Sequence, residues 1–178
     1  MQKTRTAKIL GITVAVVGAI VMLGWVADIG VLKSILPQWV TMKFSTATSF
    51  LMSGLILYYI ALKVEGKYSI GQVVLPIASL IVLLLMATLL ASIAIGVRTG
   101  IEDLFIKEAE GAVETTTPGR PSIGTMIAFI LIGISGMFSL SERQNIQRAL
   151  CRIGVPVLLL GGLALLGYLF NVSALYYA

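Results

Sequence analysis

Apolar residues run along this chain in long blocks, broken by short polar stretches, and the block lengths predict membrane-crossing helices. A helix rises 1.5 Å per residue, so about 20 apolar residues cross a hydrocarbon core of about 30 Å. Five blocks meet that pattern, at about 9–27, 44–62, 73–95, 125–140 and 153–172. The connection 28–43 contains Pro37 and Trp39, and its Val31, Leu32, Ile35 and Leu36 share one helical face, which predicts a short interfacial helix. Lys63, Glu65, Gly66 and Lys67 form a polar turn after the second span, and 141–152 is a polar turn before the fifth. Pro76 and Pro156 are placed in the first turns of their spans, where a missing N–H costs least.

The longest hydrophilic stretch is the loop 98–124. Its first part, from Ile101 to Ala109, alternates apolar residues with acids at helical spacing. That pattern predicts a helix with Ile101, Leu104, Phe105 and Ala109 on the membrane or covering the bundle, and its acids in water. Its second part, Thr115 to Ser122, has three Thr with Pro118, Gly119 and Pro121, and reads as extended loop. Glu102, Asp103, Glu108, Glu110 and Glu114 supply oxygen ligands of the type that bind a cation, without the alternating spacing of a calcium loop. They are read as a solvated face.

Composition agrees with an integral membrane protein. Of 178 residues 58% are hydrophobic and 12% charged, with a mean hydropathy of +1.00, and the charged share is about half that of a soluble domain. The first block is longer than a signal-peptide core and lacks a small-x-small cleavage site, so it is read as a retained span. The basic residues flank the spans instead of forming a patch, which gives no nucleic-acid signal and reads as topology. Lys3, Arg5, Lys8, Lys63, Lys67, Arg143, Arg148 and Arg152 fall on one side, against Glu65 and Glu142. The other side holds five basic residues and six acidic ones. The positive-inside rule makes the first side cytoplasmic, so five spans leave the C-terminus and the loop 98–124 outside an inner (cytoplasmic) membrane.

Candidate chemistry is sparse. There is no His, the usual base and metal ligand, and Cys151 stands alone, read as a small buried thiol. Ser and Thr abound, but no buried Lys or carboxylate is evident to activate one, so no enzyme, metal or cofactor is expected. No Asp, Glu, Lys or Arg lies in the middle of a span, which argues against an ion-coupled transporter and leaves a carrier of apolar solutes as a minor reading. Trp25, Trp39, Tyr58, Tyr59, Tyr176 and Tyr177 fall at span ends, as an aromatic belt would.

One pattern recurs. Thr46, Phe50 and Gly54 in the second span are matched by Thr125, Phe129 and Gly133 in the fourth. Steps of four place each trio on one helix face. The span ends 23–29, 94–97 and 166–172 also resemble one another, so the chain reads as two and a half copies of a helical hairpin, the last without its returning helix. The trios have two readings, a ligand face or a packing seam in which Gly lets a neighbouring helix approach. Packing is preferred, and the stripe Ser45, Ser49 and Ser53 and the Gly161, Gly162 and Gly167 of the fifth span are read alike.

Met42-Lys43-Phe44-Ser45-Thr46-Ala47 through Gly54, and more loosely Pro118-Gly119-Arg120-Pro121-Ser122 through Gly133, resemble the multi-span, MASE-type membrane sensor region of bacterial histidine kinases and diguanylate cyclases. Gly167-Tyr168-Leu169-Phe170 with Leu175-Tyr176-Tyr177 resembles the lead-in to a further such helix. The resemblance implies an all-α polytopic bundle that senses a membrane or extracytoplasmic cue without catalysis. In that family PAS, kinase or GGDEF domains follow, and this sequence carries none. The expectation is therefore a sensory or regulatory module that is either the membrane part of a longer protein or acts through other membrane subunits or a second copy of itself. The alternative is a structural or accessory subunit of a larger membrane complex.

Overall fold

A computed structural model describes residues 2–34, 40–67, 70–104, 106, 118–141, 146–170 and 172. Among these, the chain is all helical. The helices are α1 (Gln2–Val26), α2 (Gly30–Lys33), α3 (Phe44–Val64), α4 (Gly71–Ile95), α5 (Ile123–Ser139) and α6 (Ile146–Phe170), with one 3-10 turn at Ile101–Asp103. Four of them, α1, α3, α4 and α6, are long and apolar enough to cross a membrane, and α5 is a shorter apolar helix of 17 residues. The architecture is a membrane helix bundle of about five spans.

The helix ends follow local chemistry. At the end of α4, Gly96 adopts φ +72°, and Val97 N–H bonds back to the Ser92 carbonyl at 3.1 Å, a glycine-terminated cap. At the start of α5, the Ser122 hydroxyl accepts from Thr125 N–H at 3.3 Å and meets the Thr125 hydroxyl at 2.9 Å. At the end of α5, Lys63 reaches across from α3 and its Nζ donates to the Ser139 and Leu140 carbonyls at 2.6 and 3.3 Å. A cation there is favoured by the helix dipole.

Three readings are corrected by these bounds. Helices α4 and α6 start at Gly71 and Ile146, so Pro76 and Pro156 lie inside them and not in first turns. The hydrogen-bond pattern simply loses one donor at each. The interfacial helix of 28–43 is the four-residue α2, containing Val31 and Leu32, while Ile35 and Leu36 fall outside the described residues. The helix expected from Ile101 is, in its described part, the single 3-10 turn, and Glu102 within it is buried instead of solvated.

The bundle buries many small and hydroxyl side chains beside its aliphatic core, and its outer face is aliphatic. Ala47, Thr48, Ser49, Ser53, Ala78, Ser79 and Ser92 are buried, while Ile12, Val16, Leu80, Leu84, Leu158 and Leu165 are exposed. Lipid solvates aliphatic side chains as well as a protein core does, so helices join through close contact of small residues. Helix α1 lies along α3 in this way. A Cβ added at Gly11 would sit 2.8 Å from the Gly54 carbonyl oxygen, and one at Gly18 would press on Leu51 N and the Ala47 carbonyl. Ile56, Leu75, Val82, Met86, Leu89, Met126 and Phe129 fill the space among α3, α4 and α5. Helix α6 packs mainly on α5.

These antiparallel contacts sort the chain into two ends. At the basic end, Lys8 pairs with Glu65 at 2.8 Å, joining the start of α1 to the end of α3. At the loop end lie the last turns of α1 and α4, the first turns of α3 and α5, and the described parts of 98–124.

Candidate functional site

The densest polar cluster is built where the loop returns to the helix ends. Pro118 and Gly119 form a turn, and Gly119 takes φ +74°, the left-handed conformation that a Pro-Gly turn of type II requires. No side chain would fit at Gly119, because a Cβ would overlap the Glu102 carbonyl. The turn is thus pressed against the backbone of the 3-10 turn. Its Gly119 carbonyl also accepts from the Ser45 hydroxyl at 3.3 Å, which ties it to the first turn of α3.

Arg120 follows and points inward. Its Nη2 donates to Glu102 Oε1 at 2.9 Å and to Ser92 Oγ at 2.9 Å. The Ser92 hydroxyl has one proton, with two acceptors in reach: Glu102 Oε1 at 3.1 Å and the Leu89 carbonyl at 2.9 Å. Thr99 donates to the other carboxylate oxygen at 3.3 Å. The Glu102 side chain is 0% exposed and that of Arg120 17%. Arg98 and Asp103 make an outer pair at 3.3 Å. Among the described residues, Arg120 Nε is buried without a partner.

Burial by itself would raise the Glu102 carboxyl, but the hydrogen bonds from Arg120, from its own backbone N–H and from Ser92, with the Arg120 charge, bring it down to about 2. A carboxylate held so low and bonded to a guanidinium is a poor proton acceptor, so Glu102 is ill suited to activate the adjacent Ser92. The arrangement acts as a clasp. It ties α4, the 3-10 turn and the Pro118–Arg120 turn into one unit, and Ser45 adds α3.

The two recurring trios are partly brought together. Phe50 and Phe129 meet edge to face with ring centroids 5.3 Å apart, joining α3 to α5. The glycines face different neighbours. A Cβ at Gly54 would overlap Gly11 and Ala15 of α1, whereas one at Gly133 would meet Leu83 at 2.7 Å and the Ser79 carbonyl at 3.2 Å on α4. Thr46 is buried, and Thr125 is half-buried in the cap of α5. Ser49, Ser53 and Ser79 also turn buried hydroxyls inward, with no partner among the described residues.

Other residues singled out by sequence are scattered. Cys151 is exposed on α6, not a buried thiol, because α6 turns only one side to the bundle. Trp25 donates to the Met42 carbonyl at 2.8 Å and carries the Lys33 ammonium 4.6 Å above its ring, so it anchors the α1–α3 connection. Glu108, Glu110, Glu114, Trp39, Tyr176 and Tyr177 lie outside the described residues. Sequence reasoning missed the Glu102–Arg120–Ser92 cluster. Its one local signal was an Arg set between turn residues at 118–121, and the pairing itself spans too much chain for any periodicity to show it.

Compared with protein-family models, with curated proteins and with solved structures, the chain matches none.

Proposed function

We propose that this membrane bundle is a non-catalytic sensory or regulatory module, in which the state of the loop at 98–124 is passed to the packing of α3, α4 and α5. The observation that carries this reading is the buried clasp, in which Arg120 reaches both Glu102 and Ser92 while Ser45 holds Gly119. A buried ion pair is weak support for stability, since apolar replacements often do as well, and its best-attested use is in registry and switching. Here it joins the loop to α3 and α4, two helices that bury small and hydroxyl side chains beside a core of larger aliphatic ones. The same reading follows from the resemblance to MASE-type sensor regions.

The positive-inside rule orients the module in an inner (cytoplasmic) membrane with the N-terminus and basic end in the cytoplasm and the clasp outside. A reporter active only outside the cytoplasm, fused after Val172, is expected to be active; activity of a cytoplasm-only reporter there overturns the orientation. Cys151, the only cysteine, is exposed near the basic end and reports transmission directly. In membranes, Glu102→Gln is expected to change the rate at which a maleimide labels Cys151. An unchanged rate, with the loop shown to be loosened by protease access, counts against the sensor.

A second reading is a structural or accessory subunit of a larger complex. It is favoured by α6, where Gly154, Gly161 and Gly162 meet open space. Stable co-purification of another membrane protein after gentle solubilisation supports it, and recovery of the chain alone rejects it.

A further inference from the structure

We propose that the glycine face of α6 is a docking surface for one membrane-spanning helix of a partner protein, running opposite to α6 and carrying small residues seven positions apart. The inference rests on the subunit reading above and names the face and the kind of helix that meet. Its basis is a repeat between the first and last helices. Gly11, Gly18, Gly24 and Trp25 of α1 recur at identical spacing as Gly154, Gly161, Gly167 and Tyr168 of α6. Arg5, Val14 and Leu23 recur in the same register as Arg148, Val157 and Leu166. In α1 this pattern has a visible use. Gly11, Ala15 and Gly18 share one helical face and lie against Ala47, Leu51 and Gly54 of the antiparallel α3. One turn further on, the Met22 sulfur meets the Thr48 hydroxyl at 4.0 Å. Ala47 and Gly54 are themselves seven positions apart, so small residues face one another on both helices.

The counterpart face on α6 is bare. A Cβ at Gly154 or Gly161 would meet nothing within 4 Å. Leu158 and Leu165, which stand where α1 has Ala15 and Met22, are 76% and 60% exposed. Helix α6 leans on α5 with its neighbouring side, where Ile153, Val157, Leu160 and Ala164 are half-buried. Glycine weakens a helix interior unless a close neighbour makes use of it, and lipid tails give it no such neighbour. The α1–α3 contact shows which helix fits this spacing. A second copy of this chain has no such helix to offer among the described residues, since the Gly54 face of its α3 is covered by α1 and the Gly133 face of its α5 by α4. The occupant is therefore a span of another protein. Leu158 is bulkier than Ala15, so the closest approach falls at the two glycines.

A synthetic peptide with the α3 sequence, Phe44–Val64, is the probe. The full chain, in lipid bilayers, carries a donor dye on Cys151, which is exposed one turn before Gly154. Energy transfer is expected to a peptide with its acceptor at the Val64 end. Transfer should be weak with the acceptor at the Phe44 end, about 30 Å further along the helix. Gly161→Leu in the chain, or Gly54→Leu in the peptide, should abolish transfer, and Leu158→Ala should raise it. Leu166→Phe, exposed on another side of α6, should leave it unchanged. Equal transfer for the two label positions, transfer that survives Gly161→Leu, or no transfer at all would each overturn the proposal. So would a Cys151–Cys151 cross-link between two copies that the peptide does not compete away. Leu158, Gly161 and Leu166 are exposed, so their variants leave the packing of α6 on α5 intact. The subunit reading fails by a different result, recovery of the chain alone after gentle solubilisation. A partner recovered without peptide transfer would leave that reading standing and reject this face.

Discussion

Arg120 donates to Glu102 at 2.9 Å with the carboxylate side chain wholly buried, and the same guanidinium nitrogen reaches Ser92 at the end of α4. The pair joins two parts of the loop that are separated by 18 residues. Removing one partner leaves the other charge buried and uncompensated. Arg120→Met or Glu102→Leu is therefore expected to cost about 3–5 kcal/mol, and the double replacement far less than the sum of the two. Denaturation midpoints in detergent for the two single variants and the double variant check this. Additive losses would show that the two residues act separately.

The pH dependence follows from the same carboxylate. Glu102 is lowered in the folded protein from 4.5 to about 2. A group depressed on folding contributes stability above its unfolded value and loses it as pH falls toward its folded value. The clasp should hold unchanged from neutral pH down to about 4.5 and weaken between there and about 2. The difference in thermal midpoint between the native chain and Glu102→Gln is expected to stay constant above that window and close within it. A difference that already closes between pH 7 and 5 would contradict the assignment.

The glycines should rank by what surrounds them. At Gly54 an added methyl would overlap backbone atoms of α1, which cannot yield without separating α1 from α3. At Gly133 the nearest atoms are Cγ and Cδ2 of the Leu83 side chain, at 2.7 and 3.1 Å, with one backbone atom, the Ser79 carbonyl oxygen, at 3.2 Å, and at Gly161 nothing lies within 4 Å. Gly54→Ala is expected to cost at least the usual overpacking penalty of about 1–3 kcal/mol, Gly133→Ala less, and Gly161→Ala close to none. Thermal midpoints of the three purified variants give the order. An equal or reversed order would place the α1–α3 contact elsewhere.

Phe50 and Phe129 meet at 5.3 Å between ring centroids. A double-mutant cycle with Phe50→Leu and Phe129→Leu should give a coupling of about 0.5–1.5 kcal/mol, as edge-to-face pairs do. Zero coupling would mean that each ring contributes only through burial.

Much of the helical frame was legible because lipid imposes long apolar runs. The spans read at 44–62 and 125–140 became Phe44–Val64 and Ile123–Ser139. Helices α1 and α6 begin at Gln2 and Ile146, well before their apolar runs. A helix needs its hydrogen bonds and not its hydrophobicity to continue, so polarity marks the edge of the membrane and not the end of the helix. That is also why Pro76 and Pro156 were misplaced. The recurrence of Thr, Phe and Gly pointed to packing residues, but it could not show that Gly54 serves α1 while Gly133 serves α4, since both contacts depend on which helix arrives. Glu102 was the clearest failure. In sequence it belongs to an acidic face, and only the return of Arg120 turns it inward.

The measurement that bears most directly on the proposed function is the distance across the far end of the bundle when the clasp is broken. Spin labels at Lys67→Cys and Arg148→Cys, both exposed at the basic end, with Cys151→Ser to remove the native thiol, would report how α3 and α6 sit relative to each other. The module reading predicts that Glu102→Gln, a change at the opposite end, shifts this distance distribution in a lipid bilayer. An identical distribution, with the loop shown to be released, would contradict transmission through the bundle.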